Sequence, residues 1–161
     1  MKNIGTLKVT TPSDREIVMT RVFDAPRRLV YAALTRPELI QRWLGPHGFR
    51  LPLCEVDLKV GGKYRYVSQA PDGSRLGWGG TFREIIPDER IVHTEAFDDY
   101  PGEALITTEL TENDGKTAMT VTMLVASRDI RDAIIATGME HGAAECYDRL
   151  NELLASLKTL D

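Results

Sequence analysis

The chain has 161 residues, 42% of them apolar and 27% charged, which excludes a disordered or collagen-like polymer and points to a single domain over 1–161 able to bury a proper core without disulfides or metal. Twenty Lys and Arg against 24 Asp and Glu leave a net charge of −4, so no overall basic field draws in nucleic acid or an anionic membrane. Cys54 and Cys146 lie far apart in apolar-patterned segments and are expected to be reduced core residues; with no apolar leader in Met1-Lys2-Asn3-Ile4-Gly5, a cytoplasmic location is the default expectation.

Residues 5–11 and 15–24 are rich in Thr, Val, Ile and Phe and are parted by Pro12-Ser13-Asp14, which predicts two strands joined by a turn, with 1–14 adding an extra N-terminal strand. Asp24-Ala25-Pro26 then supplies a helix start, with Asp24 the expected N-cap, and Leu29, Val30, Ala33 and Leu34 fall at helical spacing. Pro37 opens a second short helix carrying Leu39, Ile40, Trp43 and Leu44 until Gly45-Pro46 stops it.

From Leu51 to Ala126 the period becomes that of strands, at 51–58, 63–68, 76–86, 90–97, 104–112 and 116–126, with turn residues between them. Consecutive strands on short turns predict an antiparallel meander. Thr117, Met119, Val121, Met123 and Val125 share one parity and are expected to face the core. The glycines of Gly61-Gly62 and Gly77-Trp78-Gly79-Gly80 do not sit between a strand and a helix N-terminus, so they read as bends in a curling sheet rather than phosphate loops. The chain closes with a long helix whose stripe is Met139, Ala143, Cys146, Leu150, Leu153 and Leu157, with His141, Glu145, Asp148 and Glu152 opposite in solvent; Gly138 kinks it or separates it from a shorter helix at 128–137. The fold class expected from this order is α+β, a curved antiparallel sheet gripping the C-terminal helix, with two short helices after the first main strand.

Five segments carry a family resemblance: Arg21-Val-Phe-Asp-Ala-Pro26, Arg42-Trp-Leu-Gly-Pro46, Gly61-Gly-Lys-Tyr64, Gly80-Thr-Phe-Arg-Glu-Ile85 with Glu89-Arg-Ile-Val92, and Arg128 to Gly142. Together they resemble bacterial homologues of the activator of the ninety-kilodalton heat-shock chaperone ATPase, within the START-like (SRPBCC) superfamily. The resemblance implies the helix-grip fold, with a cavity between the C-terminal helix and the sheet in which many members hold apolar ligands. It implies no catalytic constellation, cofactor or metal. The eukaryotic activators engage the chaperone through a further N-terminal domain, for which this chain is expected to have no room.

Tyr64 and Tyr66 share a parity on one strand, as do Trp78 and Phe82 on the next, so four aromatics are expected to meet in one space, either a cavity wall or a solid core. Trp43 guards the mouth of that space or plugs the short helices onto the sheet. The small run Gly142-Ala143-Ala144 thins the helix stripe between Met139 and Tyr147, leaving room for a ligand or for close approach of the sheet. His93 and Glu95 point to one side of a strand and are the first pair to inspect for acid–base chemistry. The candidate cavity residues are thus Trp43, Tyr64, Tyr66, Trp78, Phe82, His93, Met139, Ala143 and Tyr147. His141 and Glu145, at i and i+4, are expected to form a solvated pair rather than a metal site.

The expected function is binding of a small, largely apolar molecule without metal or cofactor. A cyclase-like or hydrolase-like enzyme in the same cavity and a co-chaperone-like interaction protein remain the alternatives. No nucleic acid or membrane partner is expected, and a homodimer is compatible with the sequence.

Overall fold

The computed structural model describes residues 7–158, in which the alternating segments form eight strands: β1 Lys8–Thr10, β2 Glu16–Phe23, β3 Arg50–Val56, β4 Lys63–Gln69, β5 Arg75–Ile86, β6 Arg90–Phe97, β7 Ala104–Asn113 and β8 Lys116–Leu124. Helices α1 Arg27–Thr35 and α2 Pro37–Trp43 follow β2, and α3 Arg128–Ala136 and α4 Met139–Lys158 close the fold. All neighbouring strands are antiparallel in the order β1-β2-β8-β7-β6-β5-β4-β3, so β3 to β8 form the expected meander and β2 returns to pair with β8. This is the helix-grip arrangement, with α4 lying on the concave face of the sheet. Gly5 and Thr6 of the first predicted strand lie outside the described residues. The edges of the sheet are β1 and β3; β3 contains Pro52, and its pairing with β4 shifts register between Arg50 and Leu53.

The parity read on β8 decides what the sheet buries. Thr117, Met119, Val121 and Val125 are all buried, and Leu150 and Leu154 of α4 are wholly so, packed in one cluster with Phe23, Val30, Ala33 and Met119. Each such leucine contributes roughly 1.5–3 kcal/mol relative to exposure. A second, smaller cluster, Tyr64, Phe82 and Ile91, forms on β4, β5 and β6, away from α4. The core therefore has an aliphatic half under the helix and an aromatic half beside it.

Several local expectations are corrected. The N-cap of α1 is Pro26, whose ring has no hydrogen-bond acceptor to offer; the Arg27 N–H instead donates to Oε1 of Glu112 at 2.9 Å, so a carboxylate from β7 takes the capping role expected of Asp24. Of the two outcomes expected at Gly138, the second holds: at φ 81° it separates α3 from α4. His141, Asp148 and Glu152 on the polar face of α4 are exposed, and the same face also carries tethers. Asp148 accepts from Nη1 of buried Arg21 at 3.0 Å, and Glu145 accepts from the His47 backbone N–H at 2.8 Å. Arg149 donates to the carbonyls of Arg42, Gly45 and Pro46. Glu145 also meets the His47 ring at 2.8 Å, so its partner is His47 and not His141.

The bend that lets the sheet curl lies in β5. A Cβ on Gly79 would collide with the Tyr64 carbonyl oxygen, and one on Gly80 with the carbonyl oxygen of Thr94. Between the Gly79–Ala96 and Phe82–His93 pairs, the Thr81 N–H donates to the Thr94 hydroxyl at 2.9 Å instead of to a ladder carbonyl. Gly61 and Gly62 lie in the β3–β4 turn and clasp Phe82 through two backbone hydrogen bonds, so they are not strand bends. Gly80→Ala should therefore lower stability by about 2–3 kcal/mol, through strain at a crowded site. Gly142→Ala, whose new Cβ would meet nothing within 4 Å, should raise it. The gain expected is up to about 1 kcal/mol, and urea unfolding of the two variants checks both signs.

Candidate functional site

Because α4 covers only the aliphatic half of the concave face, a cavity of about 200 Å³ opens between α1, α2, α4 and the strands. Seven of the nine residues singled out from the sequence stand in its wall: Trp43, Tyr64, Tyr66, Trp78, Phe82, His93 and Tyr147. Met139 and Ala143 do not. They pack against the aliphatic cluster, and α4 reaches the cavity through Tyr147 alone, one turn beyond Ala143. Gly142 borders neither the void nor a closely approaching sheet, since the space beside it is open, whereas Ala143 packs in the aliphatic cluster.

The aromatic wall follows from strand register. Tyr66 pairs with Trp78 across β4 and β5, and Phe82 with His93 across β5 and β6, so side chains of one parity converge on the concave face. Tyr64 is the hub, its ring centroid 5.1 Å from Tyr66, 5.5 Å from Phe82 and 4.9 Å from His93. Its hydroxyl donates to the Thr94 carbonyl at 2.7 Å, at the bend that Gly80 makes room for. Trp43 combines the two roles left open for it. Its indole N–H is anchored on the Ala33 carbonyl at 2.9 Å, while its ring faces the cavity 6.2 Å from that of Tyr147.

The same parity rule on the neighbouring strands adds to the wall Met119, Val121 and Met123 on β8, Ile106 and Thr108 on β7, and Ile91 on β6, while α1 and α2 contribute Leu34, Thr35 and Ile40. The alternation of β8 shows which of its side chains point inward. Whether an inward side chain meets the helix or a void depends on where α4 crosses, which strand periodicity does not encode.

Glu95 and His93 are the polar side chains of β6 in the wall. Burial pushes the Glu95 carboxyl up to about 7 and holds the His93 imidazole below its ordinary value. His93 Nδ1 lies 3.0 Å from the Thr94 carbonyl, which can only accept, so Nδ1 carries the proton and Nε2 is left as an acceptor. Burial, reinforced by the neighbouring Glu95 charge, also raises the hydroxyls of Tyr64, Tyr66 and Tyr147. Cys54 and Cys146 are free and half-buried, and burial pushes the Cys54 thiol up to about 11. Among the described residues no group of three or more His, Cys, Asp or Glu is placed to hold a metal ion.

Residues 24–155 match the family described as "Activator of Hsp90 ATPase homolog 1-like protein". The chain belongs to this family. Its fold is shared by a Rhodobacter sphaeroides protein with 30% identity and a TM-score of 0.89, the match covering 93% of this chain and 98% of the other. A Chromobacterium violaceum protein, also 30% identical, matches with a TM-score of 0.78 over 88% of this chain and 98% of its own. A Nitrosomonas europaea protein matches at 25% identity and a TM-score of 0.83, over 92% and 99% of the two chains. No curated protein matches the sequence. Members of this fold family commonly hold ligands, and no helix among the described residues is long and apolar enough to cross a membrane.

The displaced carboxyl has a stability consequence. Between the ordinary Glu value of 4.5 and about 7, the folded chain keeps on Glu95 a proton that the unfolded chain has lost, so stability falls as pH rises through that window and is level above it. The loss is on the order of 3 kcal/mol, at about 1.4 kcal/mol per unit. His93 works the other way, because its lowered value means that stability is lost as pH falls below the ordinary 6.5. Glu95→Gln isolates the carboxyl: urea unfolding should show the variant gaining on the parent by up to about 3 kcal/mol between about pH 5 and about pH 8.

Proposed function

We propose that the protein binds a small, largely apolar molecule between α4 and the aromatic half of the sheet. The observation that carries this reading is the cavity of about 200 Å³, walled by aromatic and aliphatic side chains and holding few polar groups, which is how small-molecule sites are commonly built. Both tryptophans of the chain, Trp43 and Trp78, stand in its wall, so occupancy has a built-in optical reporter. Native mass spectrometry of freshly purified protein should reveal a co-purified small molecule, and refilling the emptied protein should shift tryptophan emission.

Turnover of such a molecule is a second reading, favoured by His93 and Glu95 standing together in the wall. Recovery of a chemically altered compound after incubation with the parent, but not with Glu95→Gln, would move the assignment to an enzyme. A co-chaperone role rests on the family's description, and capture of the bacterial chaperone in a pull-down would support it.

Filling the void distinguishes a binding cavity from a packing defect. Thr108 on β7 lies directly across from Val121 on β8, and both line the cavity. Thr108→Phe should abolish the tryptophan response to added apolar compounds while changing stability by less than about 1 kcal/mol, whereas insertion into a solid core costs about 1–3 kcal/mol. A strongly destabilised Thr108→Phe together with a parent that takes up no apolar compound would sink the ligand-binding reading.

A further inference from the structure

The cavity is chemically one-sided. Its wall contains one carboxylate, Glu95, and no Lys or Arg. Burial alone sets the state of that carboxylate, with neither a hydrogen-bond donor nor a cation among the described residues acting on it. The neighbouring groups do not supply a counter-charge. Tyr64 has its hydroxyl engaged by the Thr94 carbonyl, and His93, its Nδ1 proton turned to that same carbonyl, is neutral and offers only an acceptor nitrogen. Three tyrosines on two different elements, Tyr64 and Tyr66 of β4 and Tyr147 of α4, are close enough to feel the charge of Glu95. A carboxylate without a partner in an apolar enclosure is unfavourable, and it is relieved by a cation or by a proton. Aromatic faces attract the same cation and repel an anion placed over them.

Resting on the ligand-binding reading above, we infer that the cavity selects an organic cation: an apolar body carrying one ammonium or amidinium head, with Glu95 as its counter-ion and the rings of Tyr64, Tyr66 and Tyr147 around the charge. A neutral alcohol can satisfy the acceptors but leaves the charge of Glu95 uncompensated. A carboxylate ligand, such as a fatty acid, adds a second negative charge beside the first and is excluded.

Three probes of equal chain length separate the cases: hexylammonium, hexanol and hexanoate, each titrated at about pH 8, where Glu95 is ionised, with Trp43 and Trp78 emission as the readout. Hexylammonium should bind at least about tenfold more tightly than hexanol, and hexanoate at least about tenfold more weakly than hexanol. Glu95→Gln should abolish the preference, so that hexylammonium binds no more tightly than hexanol in the same variant. The ranking of the three in the parent chain decides the matter without the variant. Equal binding of hexylammonium and hexanol, or hexanoate as the tightest of the three, overturns the charge selection and leaves the binding reading standing. If none of the three perturbs either tryptophan, the cavity takes up no small apolar molecule, and both readings fall together.

Discussion

One helix cannot cover eight strands. At about 4.8 Å between neighbours the sheet would span roughly 34 Å if flat, whereas a helix with its side chains is about 10–12 Å across. Curling the sheet reduces the mismatch without removing it. The strands nearest α4, namely β2, β8 and β7, bury aliphatic side chains against Leu150, Leu153 and Leu154. Those beyond its reach, β4 to β6, must cover themselves, and they do so with rings: Tyr64, Tyr66, Trp78, Phe82 and His93 interlock at centroid distances of 4.9 to 6.1 Å. Large flat groups standing on a concave surface meet one another before they meet the helix, and the cavity is the remaining space.

The bend and the wall are mechanically joined at Thr94. Its hydroxyl replaces a ladder acceptor for Thr81, and its carbonyl holds both the Tyr64 hydroxyl and His93 Nδ1, while the missing Cβ of Gly80 lets β5 come close enough for this. The opposite side of the cavity is set by α2, which carries Trp43. The chain that follows α2 is pinned to α4 by Arg149 on the carbonyls of Arg42, Gly45 and Pro46, by Glu145 on His47, and by the Gly45 N–H on Cys146 Sγ at 3.3 Å. These tethers are all charged, sulfur or main-chain contacts, and they stand beside the apolar packing of Trp43 and Leu44 in the cluster of Leu150.

The fold was legible because it depends on local rules. Period two on β8, the turn residues between strands, the prolines opening α1 and α2 and the apolar stripe of α4 each specify an element without reference to the others. The aromatic half of the site was legible for the same reason, since Tyr64 with Tyr66 and Trp78 with Phe82 needed only strand parity to be placed on one face. Met139 and Ala143 were misplaced because a helix stripe shows which residues face the sheet but not which strands they face. The tethering by Asp148, Glu145 and Arg149 was hidden for a related reason. Each partner, Arg21, His47 or the carbonyls at 42–46, lies about a hundred residues or more away in sequence, and a charged side chain opposite an apolar stripe looks the same whether it meets water or a loop.

An open sheet has two borders, and each exposes main-chain groups to any passing strand. Here the border at β3 carries Pro52, which has no N–H to give, next to an irregularity in its register. Cross-β growth is thereby discouraged at that border of a chain that is otherwise rich in strand. A second copy docking along β3 meets a break in the donor pattern at Pro52, and the hydrogen-bonded ladder does not run on without interruption from one copy into the next.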